Sequence, residues 1–223
     1  MRTLVVGPHP DDELLGCGGL LLRRLAEGHE VAWILVTSMV DASANRIEAR
    51  DSEIEAVRDG LGIRPESLIR CGFPTTRLDA IPMAELVNAL SQAIVRLEPT
   101  EVLVPHSRDA HSDHRVTFDA TMAATKWFRQ PNIRRILAYE TLSETEFGAG
   151  PAFRPRYFAD ISPWLDKKIE LLKIYASELG EFPFPRSEQT VRSLAAVRGS
   201  AAGFDAAEAF DIIRWNEALG TES

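Results

Sequence analysis

Two short segments of this sequence bring together side chains that can bind a metal ion and move protons. The first is residues 8–13, with the sequence PHPDDE, and the second is residues 106–114, with the sequence HSRDAHSDH. A mononuclear catalytic zinc site uses three nitrogen or oxygen ligands and keeps a fourth position open. His9 and Asp12 share a turn that prolines stiffen, and His114 would supply a third ligand from the other segment. The two segments together predict a His₂Asp metal site.

The remaining polar residues of these segments suit the hydrolysis of an amide. A bound metal lowers the pKa of water from 15.7 to about 7, so that Asp11 could accept its proton as a general base. His111 could donate a hydrogen bond to the developing oxyanion, and Asp113 could orient a histidine. Either segment alone is equally typical of a capped helix start. Their conjunction favours a catalytic site.

The elements that must position these segments alternate between strands and helices. The predicted strands are 3–6, 31–36, 67–70, 102–104 and 136–139, and the predicted helices are 13–27, 45–61, 83–97 and 114–128. The strands are short and apolar on both faces, which is typical of a buried parallel sheet. The pattern predicts an α/β fold with a doubly wound, mostly parallel, Rossmann-like sheet. The two segments follow the first and fourth strands, whose carboxyl ends are expected to meet at the ligand-binding crevice.

The last third of the sequence has a different character. We predict a single domain over residues 1–223, with a Rossmann-like core at 1–147 and a C-terminal α+β cover over the active site at 148–223. Within the cover, the sequence predicts a strand at 157–161 and helices at 162–176 and 188–197. A proline-rich loop lies between these two helices.

Composition narrows the classes of partner. The formal net charge of −8 argues against a general nucleic-acid or anionic-membrane binder. The two cysteines form no disulfide framework, and the sequence begins with a strand-like segment instead of a signal peptide, so we expect a cytoplasmic protein. No apolar stretch approaches the roughly 18 residues that a membrane span needs. Whether the chain forms a homo-oligomer stays open.

The motifs resemble those of the LmbE/PIG-L-like family of zinc-dependent N-deacetylases. The family's first motif, (P/A)HPDDE, is similar to residues 8–13, and its second, HxDH, to residues 111–114. The resemblance implies a Zn²⁺ ion, with Fe²⁺ as an alternative, held by His9, Asp12 and His114. It also implies Asp11 as the general base and His111 as the oxyanion-stabilising or general-acid histidine.

A softer match concerns substrate binding. Residues 50–53, followed by Leu61-Gly62-Ile63, resemble the family's RxxE…LG(V/I) helix, whose arginine contacts the sugar in mycothiol-type members. The resemblance therefore implies that Arg50 binds substrate. The alternative is an exposed helix arginine that pairs with a nearby acid.

The resemblance implies a hydrolase that removes the acetyl group from an N-acetylglucosamine-type sugar or sugar conjugate. Asp109 stands where mycothiol-pathway members carry a gating tyrosine, which argues against that substrate. The remaining candidate substrates are a nucleotide-activated or free amino sugar, a sugar on a secondary metabolite and a thiol precursor.

There are two alternative functions beside the sugar deacetylase. The first is an amidase that cleaves a cysteinyl-sugar or other conjugate amide with the same metal centre. A nucleotide-binding domain is disfavoured, because the loop after the first strand carries HPDD instead of a glycine fingerprint.

Overall fold

The computed structural model describes residues 1–217, which form a seven-stranded sheet. Its strands are β1 (Arg2–Gly7), β2 (Glu30–Ser38), β3 (Leu68–Pro74), β4 (Glu101–Pro105), β5 (Arg135–Tyr139), β6 (Tyr157–Asp160) and β7 (Ala207–Trp215). They lie in the order β3-β2-β1-β4-β5-β7-β6. Strands β1 to β5 pair in parallel, whereas β7 runs antiparallel to both of its neighbours. The predicted doubly wound, mostly parallel α/β fold is confirmed.

Helices cover both faces of this sheet. They are α1 (Asp12–Ala26), α2 (Ala44–Leu61), α3 (Met83–Leu97), α4 (Ser112–Ala124), α5 (Leu165–Leu172) and α6 (Glu188–Ala202). Side chains alternate between the faces of a strand, so Val5 of β1 packs with residues of α1 and α2. Its neighbours Leu4 and Val6 pack with residues of α3 and α4. Both faces of β1 are therefore buried, as the apolar runs predict.

The site lies where the direction of winding changes. Strand β1 is flanked by β2 on one side and by β4 on the other. From β1 the chain winds outward through β2 to β3 and then returns to β4. Loops that follow the two strands at such a switch diverge and leave a crevice at their carboxyl ends. The loops after β1 and β4 are the two segments with the predicted chemistry.

A kink in α1 ties the first loop to the C-terminal third. Cys17 has non-helical dihedral angles (φ −151°, ψ 15°), which breaks the backbone ladder of the helix. The N–H groups of Gly19 and Leu20 donate instead to the carboxylate of Glu208, at 2.8 and 2.7 Å. Lys168 Nζ lies 2.7 Å from the same carboxylate. A carboxylate on β7 and an amine on α5 therefore stabilise the helix that begins at the HPDD loop.

The glycines around this kink permit close packing. A Cβ atom on Gly16 would lie 2.2 Å from the ring of Tyr139, and one on Gly19 would lie 2.6 Å from Ile161. A larger side chain would separate α1 from β5 at Gly16 and from the residue that follows β6 at Gly19. The run 16–19 is therefore a packing surface.

The C-terminal third differs in detail from its prediction. Strand β7 lies outside the predicted strands, because the buried charge of Glu208 interrupts its apolar pattern. The helix predicted at 162–176 is reduced to α5 between two 3₁₀ turns, Ser162–Trp164 and Ala176–Glu178. The chain leaves α5 so that Tyr175 is buried and donates its hydroxyl to Glu13 at 3.1 Å.

Three other predictions concern the bounds of α4, the division of the chain into core and cover, and membrane spans. Helix α4 begins at Ser112 with His111 as its N-cap, earlier than predicted, and it ends at Ala124. The division of the chain into core and cover stays a prediction, and residues 218–223 of the cover lie outside the described residues. Within residues 1–217, no helix combines the length and the apolar character that a membrane crossing needs.

Candidate active site

The loop after β1 holds three of the predicted site residues in one tight turn. Asp11 has a positive φ of 117°, a conformation that costs a non-glycine residue about 1–3 kcal/mol. Its N–H donates to Glu13 Oε2 at 3.1 Å, which helps to hold this conformation. Asp12 folds back so that its Oδ2 accepts the N–H of His9 at 2.8 Å. As a result, the adjacent carboxylates of Asp11 and Asp12 have different partners.

Three predicted ligands converge in the crevice. His9 Nδ1 lies 3.4 Å from Asp12 Oδ2, and His114 Nε2 lies 3.3 Å from Asp12 Oδ1. One ligand atom from each of these residues lies within 4.8 Å of the other two. Two imidazoles and one carboxylate form a donor set that suits zinc and leaves a position for water. The residues present therefore fit the predicted metal.

Each of the two histidines is oriented by a second carboxylate. His9 Nε2 lies 3.0 Å from Asp113 Oδ2, and His114 Nδ1 lies 2.9 Å from Asp109 Oδ2. Metal-binding histidines commonly bond a carboxylate through their other nitrogen, which fixes the ring and its tautomer. The structure places Asp113 where the sequence predicts a histidine-orienting residue. Asp109, noted in the sequence only as a replacement for tyrosine, has the same arrangement.

A second group could in principle hold a metal, but it is less suitable. His9, His111 and Asp113 also offer atoms within 4.8 Å of one another. The carboxylate of Asp113 already accepts the N–H groups of Thr76 (2.6 Å) and Leu78 (3.1 Å) as well as the bond from His9. Because its oxygens are engaged, the first group is the better metal site.

The electrostatics of the first group favour positive charge. Burial by itself would lower the pKa of His114, but Asp12 and Asp109 raise it to about 10. Burial also opposes protonation of His9, yet hydrogen bonds to Asp113 and Asp12 raise its pKa to about 9. Burial would raise the pKa of Asp12, whereas the two imidazoles hold that pKa well below its usual range. Metal binding displaces protons from such ligands.

Asp11 contacts a residue that the sequence did not indicate. Its Oδ2 accepts a hydrogen bond from Arg186 Nη1 at 2.9 Å, and the same nitrogen lies 3.4 Å from Glu178 Oε2. Burial and the neighbouring Asp12 charge raise the pKa of Asp11 to about 7, although Arg186 opposes the shift. A carboxyl group with a pKa near neutrality can both accept and release a proton, as a general base must.

His111 is arranged as a hydrogen-bond donor. Its Nδ1 accepts the N–H of Asp113 at 3.0 Å, so in the neutral ring the proton is carried by Nε2. Burial and the neighbouring imidazoles of His9 and His114 lower the pKa of His111 to about 4, which keeps the ring neutral near pH 7. Its backbone N–H donates to Glu144 Oε2 at 3.0 Å.

These side chains line a cavity of about 270 Å³. Three buried polar atoms on its wall, Arg50 Nη1, Arg186 Nε and Thr141 Oγ1, have no hydrogen-bond partner within residues 1–217. Buried polar groups are nearly always paired, by protein or by ligand and water. All three residues line the cavity, so a bound ligand or water could supply the missing partners.

Arg50 lies at the cavity and pairs with acids, but it is not the exposed arginine of the second alternative. It lines the cavity, as a substrate-binding residue would. It also bonds to Glu178, lies 3.3 Å from Glu53 and stacks over the ring of Tyr175 at 5.5 Å. The acid pairing therefore holds the arginine at the cavity wall.

Six of the seven predicted site residues line this cavity: His9, Asp11, Asp12, Arg50, His111 and His114. Asp113 lies behind them and contacts His9. Sequence reasoning missed Glu144, Glu178 and Arg186, which also line the cavity. They lie in loops or a short turn with no periodic pattern, and Arg186 is the last residue of the proline-rich loop at 181–186 that the sequence indicates.

The comparisons with known proteins identify the family of this chain. The family model described as "PIG-L: GlcNAc-PI de-N-acetylase" matches residues 4–125. The match covers more than half of the sequence, so the chain is a member of this PIG-L family, as the motifs predict.

Relatives resemble the chain over most of its length. An uncharacterized deacetylase, YaiS, of Escherichia coli is 28% identical over 78% of this chain and 90% of its own length. The diacetylchitobiose deacetylase of Thermococcus kodakarensis is 26% identical over 93% of this chain and 81% of its own. The crystal structure of the conserved protein TT1542 from Thermus thermophilus has a TM-score of 0.78 and 27% identity, covering 99% of this chain and 98% of that one.

The same fold also occurs in a protein with another activity. GalB, the 4-carboxy-2-hydroxymuconate hydratase from Pseudomonas putida, has a TM-score of 0.72 at 20% identity and covers 99% of this chain and 100% of its own. At that identity the likeness concerns the fold alone. The reaction must be argued from the side chains of the site.

Proposed function

We propose that this chain is a metal-dependent hydrolase that removes the acetyl group from an N-acetylglucosamine-type sugar and releases acetate and a free amine. The observation that carries the proposal is the meeting of one metal-ligand group with Asp11 and His111 in a single cavity. The relatives named as sugar deacetylases support the same reaction. The cytoplasmic location stays a prediction, and whether the chain forms a homo-oligomer stays open.

His9, Asp12 and His114 would hold the metal, which we expect to be Zn²⁺. Ferrous iron is the alternative, since it also occupies sites with two histidines and a carboxylate. When bound, the ion lowers the pKa of water and polarises the substrate carbonyl. Asp109 and Asp113 fix the orientation of the two imidazoles.

The proton transfers belong to the chain itself. Asp11 would accept the proton of the attacking water and later deliver it to the departing amine. His111 Nε2 would donate a hydrogen bond to the oxygen that gains negative charge when the carbonyl is attacked. The bond from Arg186 would keep the Asp11 carboxylate in position.

The substrate is proposed from the cavity. A space of about 270 Å³ accommodates one sugar ring with its acetamido group, and the unpaired polar atoms of Arg50, Arg186 and Thr141 suit ring hydroxyls. The net charge of −8 disfavours a nucleic acid as the substrate. We therefore propose that Arg50 binds the sugar.

The test is product analysis with metal-loaded protein. N-acetylglucosamine, N,N′-diacetylchitobiose and N-acetylated aminoglycosides are incubated with the enzyme, and free amine and acetate are both quantified. Equal amounts of the two products are expected from at least one sugar, and the Asp11→Asn variant serves as the matched control. If no N-acetylated sugar yields amine and acetate, the proposed function is wrong.

A further inference from the structure

One part of the cavity wall combines two arginines with an acid between them. Arg50, Arg186 and Glu178 all line the cavity, and we call these residues the guanidinium wall. Glu178 bonds to Arg50 through Oε1, and its Oε2 lies 3.4 Å from Arg186 Nη1. Glu178 therefore joins two cationic side chains that come from α2 and from the loop before α6.

The positive charge of this wall is already neutralised by the protein. Besides Glu178, Arg50 pairs with Glu53 (3.3 Å) and Arg186 pairs with Asp11 (2.9 Å). Two guanidinium groups thus meet three carboxyl groups, and Glu53 and Glu178 alone balance the positive charge of the guanidinium wall. Sites that bind phosphate or carboxylate groups through arginine offer uncompensated guanidinium groups instead.

The wall nevertheless offers hydrogen-bond donors. Arg50 Nη1 and Arg186 Nε are buried and have no acceptor among residues 1–217. The hydroxyl of Thr141, on the same cavity, is likewise unpaired. Donors whose charge is compensated by neighbouring carboxylates suit the oxygens of hydroxyl groups. Glu178 can accept a hydrogen bond from such a hydroxyl group in return.

We infer that the substrate is an uncharged N-acetylated sugar and that Glu178 excludes phosphorylated and nucleotide-linked sugars from this cavity. A phosphate that approached the two arginines would face the carboxylate of Glu178 or would have to displace it. Like charges placed together at an interface discriminate strongly against the wrong partner. The inference rests on the proposed function and narrows its substrate class.

The first experiment compares neutral N-acetylated sugars with phosphorylated ones. Metal-loaded enzyme is assayed on N-acetylglucosamine and its 6-phosphate, and on the methyl glycoside of N-acetylglucosamine and the 1-phosphate. We expect kcat/KM to be at least about tenfold lower for the phosphorylated member of each pair, which corresponds to about 1.4 kcal/mol. For the 6-phosphate we expect the loss to come mainly from KM, because that phosphate is distant from the acetamido group on C2, whereas the 1-phosphate is on the neighbouring carbon.

The second experiment removes the charge that is proposed to discriminate. Glu178→Gln keeps the size of the side chain but frees both arginines from one carboxylate. We expect the neutral-to-phosphorylated ratio of kcat/KM to shrink by about tenfold in at least one pair. The matched control is Glu53→Gln, which removes another partner of Arg50 outside the cavity lining and should leave this ratio within about twofold.

The outcomes separate this inference from the proposed function. Equal or better use of the phosphorylated sugars by the native enzyme would overturn the inference and leave the deacetylase function intact. An unchanged ratio in Glu178→Gln, or an equal change in Glu53→Gln, would overturn the role of Glu178. Failure of every sugar to release amine would overturn the proposed function, and the inference with it.

Discussion

The two walls of the cavity are built by different means. The metal side comes from the ends of β1 and β4, adjacent strands in the sheet centre, and its side chains are fixed by short hydrogen bonds among themselves. The other side comes from α2 and from residues 176–187, which are mostly turn and loop. Tyr175, through its hydroxyl bond to Glu13, connects the second region to the first.

This difference separates chemistry from recognition. Strand ends in a parallel sheet hold catalytic groups in a fixed relation, because the sheet itself cannot deform without losing its buried core. Loop residues can change without disturbing that core, so they are suited to selecting the substrate. Changes on the metal side should therefore reduce metal content or kcat, and changes on the other side should act mainly on KM.

The largest effects are expected at the adjacent aspartates. Asp11→Asn keeps its shape but cannot accept a proton, so kcat should fall by about 10²–10⁴-fold while the metal stays bound. Asp12→Ala removes a ligand, so metal content itself should fall. Metal per chain and kcat are measured for both variants. A metal-poor Asp11→Asn together with a metal-loaded Asp12→Ala would mean that the roles are exchanged.

The two histidines of the HxDH motif should also differ, one variant losing kcat and the other losing the metal. His111→Ala should retain the metal and lose about 10²–10³-fold in kcat, since it removes a donor to the oxyanion. His114→Ala should lose the metal, because Nε2 of this buried ring is a proposed ligand. Metal analysis of both variants decides the matter. Equal metal loss in both would make His111 a ligand and favour the second metal-binding group.

The sequence predicts the metal side of the cavity better than the recognition side. The ligands and Asp11 could be predicted, because their motifs follow strands with clear apolar runs. Arg186 and Glu178 could not, because no periodicity places their loops in space. Strand β7 was not predicted for a related reason: Glu208 is buried in it, and its carboxylate is paired with Lys168 and with the kinked helix α1, which are distant in sequence. Long-range pairing of that kind leaves no local trace in the sequence.

A smaller effect is expected from the residues behind the ligands. Asp109→Asn and Asp113→Asn weaken the bonds that orient His114 and His9, so metal affinity should fall by about 10–100-fold. Affinity is measured by competition with a chelator. Asp119→Asn, on the exposed face of α4, is the control and should bind the metal as the native protein does. If Asp109→Asn binds the metal with unchanged affinity, its bond to His114 is purely structural.

The smallest effect is expected on the recognition side. Arg50→Ala removes a donor from the cavity wall and should raise KM by up to about tenfold with little change in kcat. Arg46→Ala, on the exposed part of the same helix, should leave both parameters unchanged. Steady-state kinetics on one N-acetylated sugar measures this split. A fall in kcat at constant KM would place Arg50 on the chemical side of the comparison.

The most direct test of the central claim is a metal titration of the apo-protein. Metal is removed with a chelator, its absence is verified, and amine release from an N-acetylated sugar is followed as Zn²⁺ or Fe²⁺ is added. Activity should start near zero and rise in proportion to bound metal until about one ion per chain, since one three-ligand site carries the chemistry. Full activity in the verified metal-free protein would contradict the account.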